Sequence, residues 1–180
     1  MKYFSTRDKT ISVSSSEAII QGISRDGGLF IPTTIPKIDN LIELSKMDYQ
    51  ELAFSIMSRF LTDFEPSLLE DAIKDAYGKK FRQKEIVSIE RVKDTYILEL
   101  FHGPTFAFKD MALSILPYLL KIALQINKVQ KEVVILTATS GDTGKAALEG
   151  FANVEGIKIV VFFPEKGVSQ IQKLQMITQE

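Results

Sequence analysis

Lys109 is the residue whose surroundings in the sequence most clearly suggest chemistry. It lies in FHGPTFAFKD, residues 101–110, where Phe106 and Phe108 precede it and an apolar segment follows. An ammonium group near apolar side chains loses hydration, which favours the neutral amine, a nucleophile that can attack an aldehyde. The same flanks suit a lysine that extends its charged end to the surface from the start of a helix. The spacing alone leaves both interpretations open, and Asp110 is most simply the N-cap of that helix.

A second segment, TATSGDTG at residues 137–144, combines hydroxyl side chains with glycines. It stands between a predicted buried strand and a predicted helix, where backbone N–H groups face outward and attract anions. Thr139, Ser140 and Thr143 add hydroxyl donors, so the segment is expected to bind a carboxylate or a phosphate. The alternative is an ordinary strand-to-helix turn capped by Ser140 or Asp142.

Two nucleotide motifs can be excluded for this second segment. A P-loop needs glycine five positions before Gly144, where Thr139 stands, and a hydroxyl residue after Lys145, where Ala146 stands. The glycine pattern of a dinucleotide fingerprint is also absent from the sequence.

Composition narrows the classes of function further. The 180 residues include no cysteine and one histidine, His102, which argues against thiolate metal sites and histidine-rich metal sites. The net charge of −1 gives no reason to expect a nucleic-acid partner. The most apolar stretch, residues 111–126, is broken by polar residues and too short for a membrane span, so we expect a cytoplasmic protein.

The secondary-structure elements predicted around these segments indicate an α/β protein of two parts. Residues 1–86 are predicted to form a small, mostly helical domain, with helices near residues 14–23, 49–61 and 66–76. Residues 87–180 alternate strands and helices, as in the start of an open, mostly parallel sheet. Pro117 is expected to kink or split the apolar helix that begins at Met111.

Two apolar runs in the second part, residues 132–136 and 157–163, are predicted to be strands buried on both faces. So few parallel strands rarely form a self-sufficient sheet, because both faces and both edges need cover. We therefore expect a truncated piece of a longer protein that is inactive by itself.

The lysine segment and the TSGDTG segment, with DGGLFIP at residues 26–32, resemble the threonine synthases, a family of fold-type II pyridoxal-phosphate enzymes. The resemblance extends over the whole chain. It implies that Lys109 binds pyridoxal 5'-phosphate as a Schiff base beside Phe108. It also implies that Asp142 lies near the cofactor ring, and that Thr139, Ser140, Gly141 and Thr143 bind the substrate's carboxylate. The family's phosphate cup and the group facing the pyridine nitrogen would lie beyond residue 180, so this piece is not expected to hold the cofactor tightly.

The activity that the resemblance implies is conversion of O-phosphohomoserine and water to L-threonine and phosphate, the last step of threonine biosynthesis. Two alternatives remain: a pyridoxal-phosphate-dependent phospho-lyase acting on a related phosphorylated amino acid, and a non-catalytic anion-binding module. The role of His102 is interpreted as structural or catalytic, with the structural role preferred. No metal ligand set and no oligomeric state follow from the sequence.

Overall fold

The computed structural model describes residues 1–139 and 141–179. The chain forms two compact units that are both discontinuous in sequence. The first comprises residues 1–74 and 118–130, and the second comprises residues 75–117 and the chain from residue 131 onwards. The predicted domain boundary at residues 86/87 stays a prediction.

The first unit contains a three-stranded antiparallel sheet of β1 (Tyr3–Ser5), β2 (Ser12–Val13) and β3 (Phe30–Pro32), with β1 in the centre. A short strand within residues 1–5 is compatible with the sequence, but all three strands have only two or three residues and are too short to show the alternation that identifies a strand. The helices of this unit are α1 (Ser15–Gln21), α2 (Leu41–Leu44), α3 (Tyr49–Phe60) and all but the end of α4 (Pro66–Ala76).

Helix starts in the first unit follow from side-chain caps. Ser14 caps α1, and Glu17 returns a bond to the Ser14 N–H, which satisfies two backbone donors of the first turn. Asp48 and Glu51 form the same capping box on α3. These signals explain why the predicted helices lie close to their observed bounds.

The apolar helix predicted from Met111 is split in two, as Pro117 suggests. The first piece is α5 (Asp110–Leu113) and the second is α6 (Leu116–Ile126). Pro117 lies in the first turn of α6, where its missing N–H would have no helical partner in any case. The later part of α6 belongs to the first unit, where the Asn127 side chain donates to Ser16 Oγ at 2.9 Å.

The second unit contains the elements that carry the candidate site. An antiparallel hairpin pairs β4 (Ser88–Val92) with β5 (Thr95–Glu99). Further along, β6 (Val133–Ala138), α7 (Asp142–Phe151) and β7 (Ile157–Phe162) form a βαβ unit whose strands are parallel, and α8 (Gln170–Ile177) follows. The α/β fold and the parallel pairing predicted from the sequence are confirmed.

One expectation about these strands is wrong for the described chain. The sequence predicts that β6 and β7 are buried on both faces, yet Leu136 and Phe162 are 67% and 60% exposed, and Val134 and Val160 on the same face are also exposed. The opposite face is better covered, because Gly144 of α7 lies against Val161 of β7 and Met176 of α8. The two described strands are therefore covered on one face only.

Candidate active site

The lysine segment is a tightly folded loop that ends in α5. Two successive turns shape it, with the Phe106 N–H donating to Gly103 O at 3.3 Å and the Asp110 N–H donating to Ala107 O at 3.0 Å. Phe106 has φ of +62°, a left-handed conformation that costs a residue with a side chain on the order of 1–2 kcal/mol. The Arg82 guanidinium lies 4.0 Å from the centre of the Phe106 ring, a cation–π contact that helps to hold this turn.

His102 anchors the start of the loop to the hairpin. Its Nε2 lies 2.8 Å from Glu99 Oε2 and 3.2 Å from Ser88 Oγ, and its carbonyl accepts a bond from the Arg82 N–H at 3.0 Å. The hydrogen bonds from His102 and from Ser88 hold the pKa of the Glu99 carboxyl below its ordinary value. His102 is buried, and its Nε2 is already engaged in these bonds. The geometry favours the structural role that the sequence analysis preferred.

Asp110 does not act as the N-cap predicted from the sequence. Lys109 occupies the N-cap position of α5, and Asp110 is the first helical residue. The Asp110 carboxylate instead points back along the loop, where it accepts the Thr105 N–H at 2.8 Å and the Thr105 hydroxyl at 2.6 Å. A sequence signal for this pairing is lacking, because it depends on how the intervening turns bring position 105 back to position 110.

The Lys109 side chain is partly exposed, and its surroundings differ from the expected apolar enclosure. Its Nζ lies 4.2 Å from the centre of the Phe108 ring. Phe106 and Phe108 are 48% and 62% exposed, so neither ring is enclosed in the described chain.

The second segment lies at the carboxyl end of β6 and at the start of α7. Thr139 N–H donates to Phe162 O at 2.9 Å, which continues the parallel pairing by one residue. Gly141 N–H donates to Thr139 Oγ1 at 3.3 Å, so this amide, predicted to bind a carboxylate, has a local partner. No described side chain caps α7, and the Gly144 N–H donates to Gly141 O at 3.0 Å. Thr143 is half-buried in this turn, and Ser140 lies outside the described residues.

Asp142 is exposed and has a partner that the sequence analysis missed. Gln172 Nε2 donates to Asp142 Oδ1 at 3.1 Å. The backbone N–H and the side-chain Oε1 of Gln172 form a capping box with Ser169 at the start of α8, in which Oε1 accepts the Ser169 N–H at 3.4 Å. The spacing of serine and glutamine indicates the cap. The contact with Asp142 depends on the placement of α8 beside α7 and has no such signal.

Both segments belong to the second unit. Helices α5 and α7, which follow the two segments, pack closely enough that a Cβ at Gly150 would collide with the Leu113 carbonyl oxygen. From the rule that open α/β sheets bind ligands at the C-terminal end of their strands, we predict that the Lys109 amine and the Gly141 backbone amide face one cavity. None of the helices in the described chain is both long enough and apolar enough to span a membrane.

The chain matches known proteins over nearly its whole length. A family model described as threonine synthase N terminus matches residues 2–77. The threonine synthase of Saccharomyces cerevisiae is 39% identical over 193 aligned positions, covering 98% of this chain and 37% of that protein. Threonine synthase-like 2 of Xenopus laevis is 40% identical, covering 99% of this chain and 38% of that protein.

Solved structures agree with these matches. The crystal structure of the yeast threonine synthase aligns with a TM-score of 0.89 at 38% identity, covering 97% of this chain and 38% of that chain. A threonine synthase from Brucella melitensis, described as bound to pyridoxal phosphate, aligns with a TM-score of 0.88 at 34% identity and covers 98% of this chain and 38% of that one. The chain thus spans somewhat more than a third of the length of these relatives, and it belongs to the threonine synthase family, to whose amino-terminal portion it corresponds.

Proposed function

We propose that the protein containing this chain is a pyridoxal-phosphate-dependent threonine synthase, which converts O-phosphohomoserine and water to L-threonine and phosphate. The observation that carries the proposal is Lys109. Lys109 is partly exposed at the N-cap of α5, on a loop whose backbone is held at both ends. A nucleophilic lysine needs this combination of a fixed backbone and a reachable amine.

The described residues fit the cofactor. The Lys109 amine is the covalent anchor for an aldehyde, and the Phe108 ring lies beside it. Uncapped donors at the start of α7 suit an anionic group of the substrate. When bound, pyridoxal phosphate supplies an electron sink for charge that develops at the substrate's α-carbon.

The chain's own residues then have separate tasks. Lys109 would hold the cofactor covalently, and its amine, once free, would take the α-proton and carry protons in later steps. Thr139, Ser140, Gly141 and Thr143 bind the carboxylate and so orient the substrate. Asp142 would help to hold the cofactor ring, and the bond from Gln172 orients its carboxylate. Phosphate then leaves the γ-carbon and water adds at the β-carbon, in a reaction that we assign to the cytoplasm.

The test is an assay that follows both products. Full-length protein is loaded with pyridoxal phosphate and given O-phosphohomoserine, and threonine and phosphate are measured in the same sample. Equal release of the two supports the proposal. Because a relative of equal similarity carries the name threonine synthase-like 2, the keto acid that a phospho-lyase would form is measured as well. Phosphate with keto acid and no threonine contradicts the proposal in favour of the lyase, and no product from loaded protein favours a non-catalytic anion-binding module.

A further inference from the structure

The Asp110 carboxylate is buried at the end of the lysine loop, with 1% of the residue exposed. Both of its oxygens bind the same residue, because Oδ2 accepts the Thr105 N–H at 2.8 Å and Oδ1 accepts the Thr105 hydroxyl at 2.6 Å. We call this pair of bonds the Asp110–Thr105 clasp. Removing a carboxylate from water is unfavourable, and short bonds from two donors offset that cost.

The clasp closes the chain between positions 105 and 110 into a ring. Gly103 lies against it so tightly that an added Cβ would be 2.5 Å from Asp110 Cβ and from Asp110 Oδ2. A small residue is therefore required at position 103 for the Asp110 side chain to reach Thr105. The ring contains Lys109.

The clasp fixes the backbone of Lys109 but does not touch its amine. On the side that follows Lys109, its carbonyl accepts bonds from Ala112 at 3.1 Å and Leu113 at 2.9 Å. On the side that precedes it, the turn from Ala107 to Asp110 is closed at 3.0 Å. The amine lies 4.2 Å from the centre of the Phe108 ring, and Lys109 as a whole is partly exposed.

We propose that Thr105 and Asp110 are positioning residues for Lys109: the clasp between them sets the backbone from which the Lys109 amine reaches an aldehyde. This inference rests on the proposed function, since it assumes that Lys109 forms an imine. In that reaction the neutral amine adds to the aldehyde carbon, the amine gives up its protons, and the aldehyde oxygen leaves as water. Preorganisation of the backbone accelerates such a step because little ordering remains to be done when the aldehyde arrives.

The test measures the reaction of Lys109 in the full-length protein, with pyridoxal 5'-phosphate as the probe. Imine is trapped with borohydride at successive times, and labelled lysines are quantified by peptide mass spectrometry. Lys158, an exposed lysine of the same unit that pairs with Glu132 at 3.0 Å, serves as the internal reference. A change confined to Lys109 reports positioning, whereas a change shared by both lysines reports a general difference in reagent or protein.

Four proteins are compared: wild type, Thr105→Val, Thr105→Ser and Thr10→Val. Valine keeps the shape of threonine and removes the hydroxyl, and serine restores it. Thr10 is the matched control, because its N–H and hydroxyl bind Asp8 Oδ1 at 2.9 and 2.7 Å in an exposed pair of the first unit. We expect Thr105→Val to slow Lys109 labelling about tenfold, the loss that one hydrogen bond to a charged group typically causes. Thr105→Ser and Thr10→Val should stay within about twofold of wild type, as expected when the relevant bond is retained.

Equal Lys109 labelling in Thr105→Val and Thr105→Ser would overturn the inference. Amide hydrogen exchange of the wild type gives a second measurement that needs no variant to fold: the Thr105 amide should be protected before the probe is added. Fast exchange at Thr105 would also overturn the inference, because the clasp would then be open most of the time. Failure of wild-type Lys109 to react at all would count against the proposed function. Hydrogen exchange at the Thr105 amide would still show whether the clasp is formed.

Discussion

The two segments of the candidate site each contain an aspartate, and the fold holds the two in different ways. Asp110 in the lysine loop is buried, and both its oxygens accept bonds from Thr105. Asp142 in the second segment is exposed, and one of its oxygens accepts a bond from the Gln172 side chain. The first carboxylate is enclosed by the fold, whereas the second lies at the surface.

This difference divides the chemistry between the two segments. A side chain that forms and breaks a covalent bond benefits from a fixed backbone, which the lysine loop provides. A segment that receives a ligand needs donors that the ligand can reach, and we propose this role for the start of α7, which no described side chain caps. The predictions below test this division, from the largest expected effect to the smallest.

Lys109→Ala should have the largest effect on function. It removes both the covalent anchor and the base, so turnover of O-phosphohomoserine should fall at least about a hundredfold, the lower range for a lost general base. Lys158→Ala, which removes an exposed lysine, is the control and should retain wild-type turnover. Substantial threonine formation by Lys109→Ala would contradict the assignment of the nucleophile.

The two aspartates should differ in their effect on stability. Asp110→Ala leaves the Thr105 N–H and hydroxyl buried without their acceptor, which should lower the free energy of unfolding by about 2–3 kcal/mol. Asp142→Ala removes an exposed carboxylate and should change it by less than about 0.5 kcal/mol. Urea denaturation of both variants measures the difference, and equal losses would contradict the contrast between the segments.

Thr143→Val should affect binding and leave stability nearly unchanged. If the Thr143 hydroxyl donates to the substrate's carboxylate, its loss should weaken substrate binding about tenfold to a hundredfold, or roughly 1.5–3 kcal/mol. The measurement is the dissociation constant of the substrate, taken together with a denaturation curve. An unchanged dissociation constant would remove Thr143 from the binding site.

A matched pair of glycines offers a steric test of the same contrast. In Gly103→Ala the new Cβ meets the buried Asp110 at 2.5 Å, so overpacking should cost about 1–3 kcal/mol of stability. In Gly141→Ala the nearest atom is Gln172 Nε2 at 3.0 Å, the end of a side chain that can move aside. Gly141 has φ of −172°, which is extended backbone open to alanine. Thermal denaturation should therefore separate the two variants, and a large loss in Gly141→Ala would show that the second segment is as rigid as the first.

Asp142→Asn should have the smallest effect of the five. Asparagine keeps the Oδ1 acceptor for Gln172 and can still accept a bond from a ring hydroxyl of the cofactor. Turnover should fall by no more than a few-fold. A loss as large as that of Lys109→Ala would show that the charge of Asp142, rather than its acceptor, is required.

The sequence predicts those parts of the fold that depend on neighbours along the chain. Ser14 and Ser169 mark the starts of α1 and α8 because their capping partners lie three residues away. Pro117 divides the apolar helix for a reason that is equally local. The α/β class follows from the order of such elements.

The parts that the sequence misses depend on contacts between distant or strained positions. The contact of Asp110 with Thr105 requires a left-handed conformation at Phe106. Glycine is the residue that usually indicates such a conformation in a sequence, and this position is not glycine. The contact of Gln172 with Asp142 joins residues 30 positions apart. Exposure of Leu136 and Phe162 depends on what covers the sheet, which the apolar run in the sequence cannot reveal. The sequence is thus sufficient to name candidate residues for the site, but it does not predict the contacts that hold them.

The discontinuity of the first unit has a consequence for the order of folding. The bond from Asn127 to Ser16 joins positions 111 apart, and it requires the second piece of this unit, residues 118–130. A chain synthesised from its amino terminus therefore produces residues 75–117, with Lys109 among them, before the first unit can be completed. Closing so long an intervening segment costs loop entropy and slows folding. We expect the lysine loop to leave the ribosome while the first unit is still open, so that the nucleophile's segment is synthesised before the domain ahead of it is finished.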